Sequence, residues 1–217
     1  MKKGVWLLVL ALAGCANTGG VSTPSSSSMG EGGYESEARS RAKVFAELGF
    51  AYLSRGQMKV ALETARKAVS ADGSYGPAYN LLGLIYMELD EDKVAEENFR
   101  RSIELGREDS DAHNNYGWFL CTRGRYDEGL SQFTEALRNP LYGKPELAMT
   151  NSGQCSEMKG DTRQAEAYYH KALKLAPNAV QATIKLAGLS YRKGDMGETQ
   201  RLLKHFQNIS PPTAESL

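Results

Sequence analysis

The chain has 217 residues, with 26 basic and 26 acidic side chains and a formal net charge of zero. That balance argues against nucleic acid or another polyanion as the main partner. A hydrophobic content of 41% permits a buried core, and the length fits one ordinary domain or a short array of repeats.

The first element is Lys2 and Lys3 followed by an apolar run from Val5 to Ala13. The run is too short to cross a bilayer as a permanent helix, but it suits a secretory signal. It ends in Leu12-Ala13-Gly14-Cys15, which resembles the bacterial lipobox. The resemblance implies a signal peptide of residues 1–14, cleavage before Cys15, a diacylglycerol on its thiol and an acylated new N-terminus. Ala16 and Asn17 stand where an aspartate would retain the protein in the inner membrane. The implied location is therefore the periplasmic face of the outer membrane, held by N-terminal acyl chains. At about 0.8 kcal/mol per buried methylene, three chains on one residue form an effectively permanent anchor. The alternative is an ordinary cleaved signal in which Cys15 is incidental.

From Ala16 to Gly33 the chain reads ANTGGVSTPSSSSMGEGG. So polar a stretch buries too little surface to offset ordering, and residues 15–35 are expected to form the lipidated cysteine and a flexible tether. A Ser/Gly chain of this length spans about 25 Å.

The domain that follows is expected to occupy residues 36–213. It shows no strand alternation, but a self-similar pattern with a period of 34 residues. Units counted from Ala42, Gly76 and Ser110 place Leu48-Gly49, Leu82-Gly83 and Tyr116-Gly117 at the seventh and eighth positions. Tyr52 and Tyr86 fall at the eleventh, Ala61, Ala95 and Gly129 at the twentieth, and Phe99 and Phe133 at the twenty-fourth. Further units start at Glu146 and Val180. Small residues at places eight and twenty allow two helices of a unit to approach closely, with large residues filling the space beside them. Gly56, Gly124, Gly160 and Gly194 mark the turns, and Leu89-Asp90-Glu91-Asp92 makes the second turn without glycine. Pro177 and Pro211 stop second helices. The pattern resembles the tetratricopeptide repeat over most of the chain. The fold it implies is all-α, a right-handed superhelix of about five helix-turn-helix units. NPLYGKP, Asn139 to Pro145, holds two extra residues between units three and four and is expected to be a loop insertion.

No catalytic or phosphate-binding motif is present, and His113, His170 and His205 lack metal-ligand spacing. We therefore expect no catalytic residues, no metal, no cofactor, no small-molecule substrate and no enzyme activity. His113, at place four, is expected to be a hydrogen-bonded core residue. In the resembled family the concave face is lined by places two, five, nine and twelve of each first helix. Here those include Phe50, Leu84 and Trp118, Leu53 and Met87, and the amides Asn80 and Asn114. An apolar stripe flanked by amides is the expected partner-binding groove. A few hundred Å² of it would supply on the order of 10 kcal/mol before association costs. The carboxylate clamp of some tetratricopeptide domains is absent, since its positions hold Ala46, Phe50, Leu81, Asp111 and Asn115.

The stretch NNYGWFLCTRGRYDEGLSQFTEALRNPLYGKPELAMTNSGQC, Asn114 to Cys155, resembles the type IV pilus lipoproteins of the PilF/PilW family. That resemblance implies an outer-membrane pilotin, which helps the pilus secretin reach the outer membrane and assemble as a stable multimer. A generic periplasmic adaptor for outer-membrane protein assembly or for a protease is the competing reading. The family usually completes a sixth unit, of which only Ala214 to Leu217 stand here. The last helix pair, with Leu189, Leu202, Leu203 and Phe206, is accordingly expected to be the least stable. Once Cys15 is acylated, Cys121 and Cys155 are the remaining cysteines. An oxidising compartment favours a disulfide between them; two buried thiols are the alternative.

Overall fold

The computed structural model describes residues 35–210. The expected signal segment, Cys15, the expected Ser/Gly tether, Pro211 and the expected start of a sixth unit at Ala214 lie outside the described residues. Ten α-helices make up those residues, with no strand among them: α1 (Glu37–Ser54), α2 (Met58–Ala71), α3 (Gly76–Glu88), α4 (Asp92–Leu105), α5 (Ser110–Thr122), α6 (Tyr126–Ala136), α7 (Pro145–Lys159), α8 (Thr162–Leu175), α9 (Val180–Arg192) and α10 (Met196–Ile209). Odd-numbered helices are the first helix, A, of each pair, and even-numbered ones the second, B. None is long and apolar enough to cross a membrane.

Every A helix ends in the same way. After α1 the Gln57 N–H donates to the Tyr52 carbonyl and the Gly56 N–H to Leu53, a Schellman stop. The same pair of bonds recurs after α3, α5, α7 and α9. The stop needs a left-handed residue, which Gly56, Gly124, Gly160 and Gly194 supply at φ between 69° and 90°. In the second unit Asp90 adopts φ 56°, the one non-glycine residue with positive φ among those described. An aspartate tolerates this region at a cost that glycine does not have. Asp90→Gly should therefore raise stability by about 0.5–1 kcal/mol, as read by chemical denaturation. Its ion pair with Arg123 spans 3.4 Å on a side chain that is 93% exposed, so little is lost with it.

Within the second, third and fourth pairs the helices meet at glycine notches. The ring of Phe99 in α4 lies over Gly83 of α3, and that of Phe133 in α6 over Gly117 of α5. Both rings are fully buried. Tyr52 and Tyr86, which the period places beside them, are only half-buried. A tyrosine hydroxyl seeks water or a partner, and that of Tyr86 accepts from Arg66 at 3.2 Å. Each B helix then packs on the A helix of the next pair. Successive A helices also touch, whereas B helices do not touch one another among the described residues. The stack is thus shorter along its A side and curves toward it, so the A helices line the concave face. In the last pair Leu189 and Leu202 are buried and Leu203 is exposed.

A charge cluster ties units two and three. Glu96 of α4 accepts from Arg100 at 2.7 Å, the Tyr116 hydroxyl at 2.8 Å and Arg125 at 2.8 Å. Partial burial opposes its charge, but the three donors, Arg125 foremost, outweigh that and hold the carboxyl below its ordinary range. A carboxyl lowered in the folded state contributes stability that is complete above its unfolded value and lost as pH falls through the folded one. The stability difference between wild type and Glu96→Gln should be constant near neutral pH and shrink below the ordinary value of 4.5. A gap independent of pH would contradict this.

Candidate functional site

The apolar side chains expected on the groove occupy the inner side of the stack and serve two ends. Phe50 and Leu53 are half-buried against Leu81, Leu82 and Ile85 of α3. Leu84 and Met87 pack in the same way toward Tyr116 and Phe119 of α5. Trp118 packs on Cys121 and Cys155. Each thus gives part of its surface to the adjacent A helix and leaves part open.

The two amides are placed differently. Asn80 and Asn114 are only 2% and 3% exposed. Asn80 Oδ1 accepts from Asn115 Nδ2 at 3.1 Å, and Asn114 Oδ1 accepts from Asn151 Nδ2 at 3.0 Å. In both cases place six of one unit donates to place five of the unit before it. Asn114 also donates to Asn115 at 3.3 Å. The result is a ladder of amides across α3, α5 and α7 that fixes neighbouring A helices in register. Buried amides need such partners, since leaving one unpaired costs about 1–3 kcal/mol.

Cys121 of α5 and Cys155 of α7 are bonded, with Cα atoms 5.5 Å apart. They lie beside the buried ring of Phe133 with Trp118, Tyr126 and Leu130 around them. The longer connection between these units is latched to α5, where Asp111 accepts from Lys144 at 3.1 Å and from the Tyr142 hydroxyl at 3.4 Å. His113 is buried, bonded to Gln132 at 2.8 Å and to the Arg107 carbonyl at 2.9 Å.

One hollow of about 730 Å³ opens on the concave face between α5, α7 and α9, and Thr162 of α8 also lines it. Trp118 is the only expected groove residue that lines it, joined by Gln154, Met158, Ile184, Lys185 and Gly188. These five were not among the expected site residues. The legible signal was place nine, which reads Phe50, Leu84, Trp118, Gln154 and then Gly188. Another hollow, of about 780 Å³, lies away from this face among Ile103, Arg107, His113, Arg138 and Pro140.

Helix pairs stacked at a period near 34 residues, with A helices around an inner face, define a tetratricopeptide repeat protein. Models of that repeat match residues 42–75 and 76–109, and residues 159–198. The chain is 29% identical over 213 residues to the type IV pilus assembly protein PilF of Pseudomonas aeruginosa, covering 98% of this chain and 81% of that relative. A solved structure of Pseudomonas aeruginosa PilF matches with a TM-score of 0.74 at 26% identity, over 83% of this chain and 82% of that one. A crystal structure of PilW, described as a widely conserved type IV pilus biogenesis factor, matches with a TM-score of 0.71 at 28% identity, over 79% of each chain. The chain is a PilF/PilW-like tetratricopeptide repeat protein.

Proposed function

We propose that this protein serves type IV pilus biogenesis as a pilotin. It binds the pilus secretin through its concave face and promotes the secretin's arrival and multimer assembly in the outer membrane. Its anchor is the acylated Cys15, which lies outside the described residues, and the Ser/Gly tether lets the repeat array reach the partner from the membrane surface. The observation that carries this reading is the similarity to PilF along 98% of the chain. It is supported by a curved inner face on which Phe50, Leu84 and Trp118 keep part of their surface open. Binding, rather than catalysis, is what such a face offers.

The test is complementation of a strain that lacks the gene, followed by membrane fractionation and detection of heat-resistant secretin multimers. Wild type should restore multimers in the outer membrane, and Cys15→Ala should leave the outer-membrane fraction and restore few. Unchanged fractionation of Cys15→Ala would overturn the anchor. Normal secretin multimers in the deletion strain would overturn the pilotin role and favour a general periplasmic adaptor.

A further inference from the structure

We propose that the hollow of units three to five binds an extended peptide segment in which a large apolar side chain stands beside a carboxylate. The proposal rests on the protein-binding reading above and names the chemistry of the segment bound.

The first observation is Gly188. Elsewhere in the helix interiors glycine is required by packing. A Cβ would fall 2.5 Å from Leu81 at Gly49, 2.7 Å from Phe99 at Gly83, 2.9 Å from Phe133 at Gly117 and 2.4 Å from Tyr169 at Gly153. At Gly129 it would fall 2.3 Å from the Cys121 sulfur. At Gly188 the nearest atom is Arg192 Nη1 at 3.6 Å, an ordinary contact. Glycine in mid-helix is unfavourable relative to alanine, and no neighbour demands it here. What its missing side chain does is leave the hollow open, at a place where the other four units carry Phe, Leu, Trp or Gln.

The second observation is what surrounds the space. Met158 and Ile184 are 41% and 42% exposed, and both line the hollow with the half-buried Trp118. Three large apolar side chains around one opening form a seat for another, and about 730 Å³ falls in the range of ligand sites. Gln154, on the same lining, donates to Asn151 Oδ1 at 3.5 Å and offers its amide oxygen to the main chain of the segment.

The third observation is charge. Glu157 also lines the hollow, but one of its oxygens is paired with Arg192 and the other accepts from the Tyr169 hydroxyl. Lys185 has no carboxylate partner among the described residues. An uncompensated ammonium beside an apolar seat selects an acidic residue next to the apolar one and disfavours a basic one.

The test uses the full chain and three fluorescein-labelled, end-blocked twelve-residue peptides, read by fluorescence anisotropy. Each carries one Phe in a Gly/Ser background, flanked by two Asp, two Lys or two Ser. The Asp peptide should bind at least ten-fold tighter than the Lys peptide, and more weakly as salt is raised. Lys185→Glu should reverse the order. Gly188→Leu, which fills the hollow from within, should weaken the Asp peptide at least ten-fold while the melting temperature stays level or rises. Equal binding of the three peptides, no binding, or an acidic preference that survives both substitutions would overturn the proposal. So would a self-associated wild type that Gly188→Leu converts to monomer, since a second copy would then be the occupant. A parallel co-purification separates this from the parent reading. If both variants recover the secretin as wild type does, the secretin binds elsewhere on the protein and the peptide result alone decides this proposal. If wild type recovers none, secretin binding fails and the peptide result still decides this proposal.

Discussion

Gly153→Ala is expected to destabilise the fold by about 2–3 kcal/mol, an overpacking cost. The added Cβ would meet the Tyr169 ring at 2.4 Å and 2.6 Å. That ring cannot retreat. Tyr169 is fully buried among Ala165, Leu186, Leu189 and Leu202, and its hydroxyl is held by Glu157. Helices α7 and α8 must therefore separate, which also disturbs the seat of α9. At about 2–4 °C per kcal/mol for a chain of this size, the melting temperature should fall by roughly 5–10 °C. Gly188→Ala is the internal control. It adds the same methyl group in the next A helix, where the nearest atom lies at an ordinary contact distance of 3.6 Å, and should gain up to about 1 kcal/mol of helix propensity. Opposite signs for the same chemical change, measured by thermal denaturation of the two variants, would support the packing account. Equal shifts would contradict it.

Loss of the disulfide is the second large effect. Cys121 and Cys155 close a loop across a sequence separation of 34, for which the chain-entropy model gives about 3–4 kcal/mol. Cys121→Ala with Cys155→Ala should lose about that much, partly offset by the fit of two small apolar side chains in a buried site. The loss should concentrate where α5 meets α7, because those two helices carry the bond. Trp118 rests on the bonded pair, so its fluorescence should change along with stability. Denaturation with and without reductant, with mass mapping of the unreduced protein, checks both points. Identical midpoints would show that the bond contributes nothing.

The helical period was legible in the sequence because its markers are steric. A left-handed turn needs glycine, and two helices in close contact need a glycine or alanine, whatever surrounds them. Where the chain departs from that rule, at Asp90, the turn is still made, by a residue type that tolerates positive φ. The inner face was less legible. Place five marks Asn80 and Asn114 as lining residues, but periodicity within one helix does not say that place six of the next unit supplies an amide to bury them. The hollow around Gly188 was harder still, since four helices contribute to its lining and its defining feature is a side chain that is missing. Lys185 reads as one more surface cation until Glu157 is found committed to Arg192 and Tyr169.

Site-specific photo-crosslinking in cells tests secretin binding on the concave face most directly. A benzophenone amino acid replaces Phe50 or Trp118 on the A helices, or the exposed Arg101 or Lys171 on the B helices. Crosslinks to the pilus secretin are expected from Phe50 and Trp118, and none from Arg101 or Lys171. Crosslinks from the B helices alone, or none to the secretin from any position, would contradict binding through the concave face.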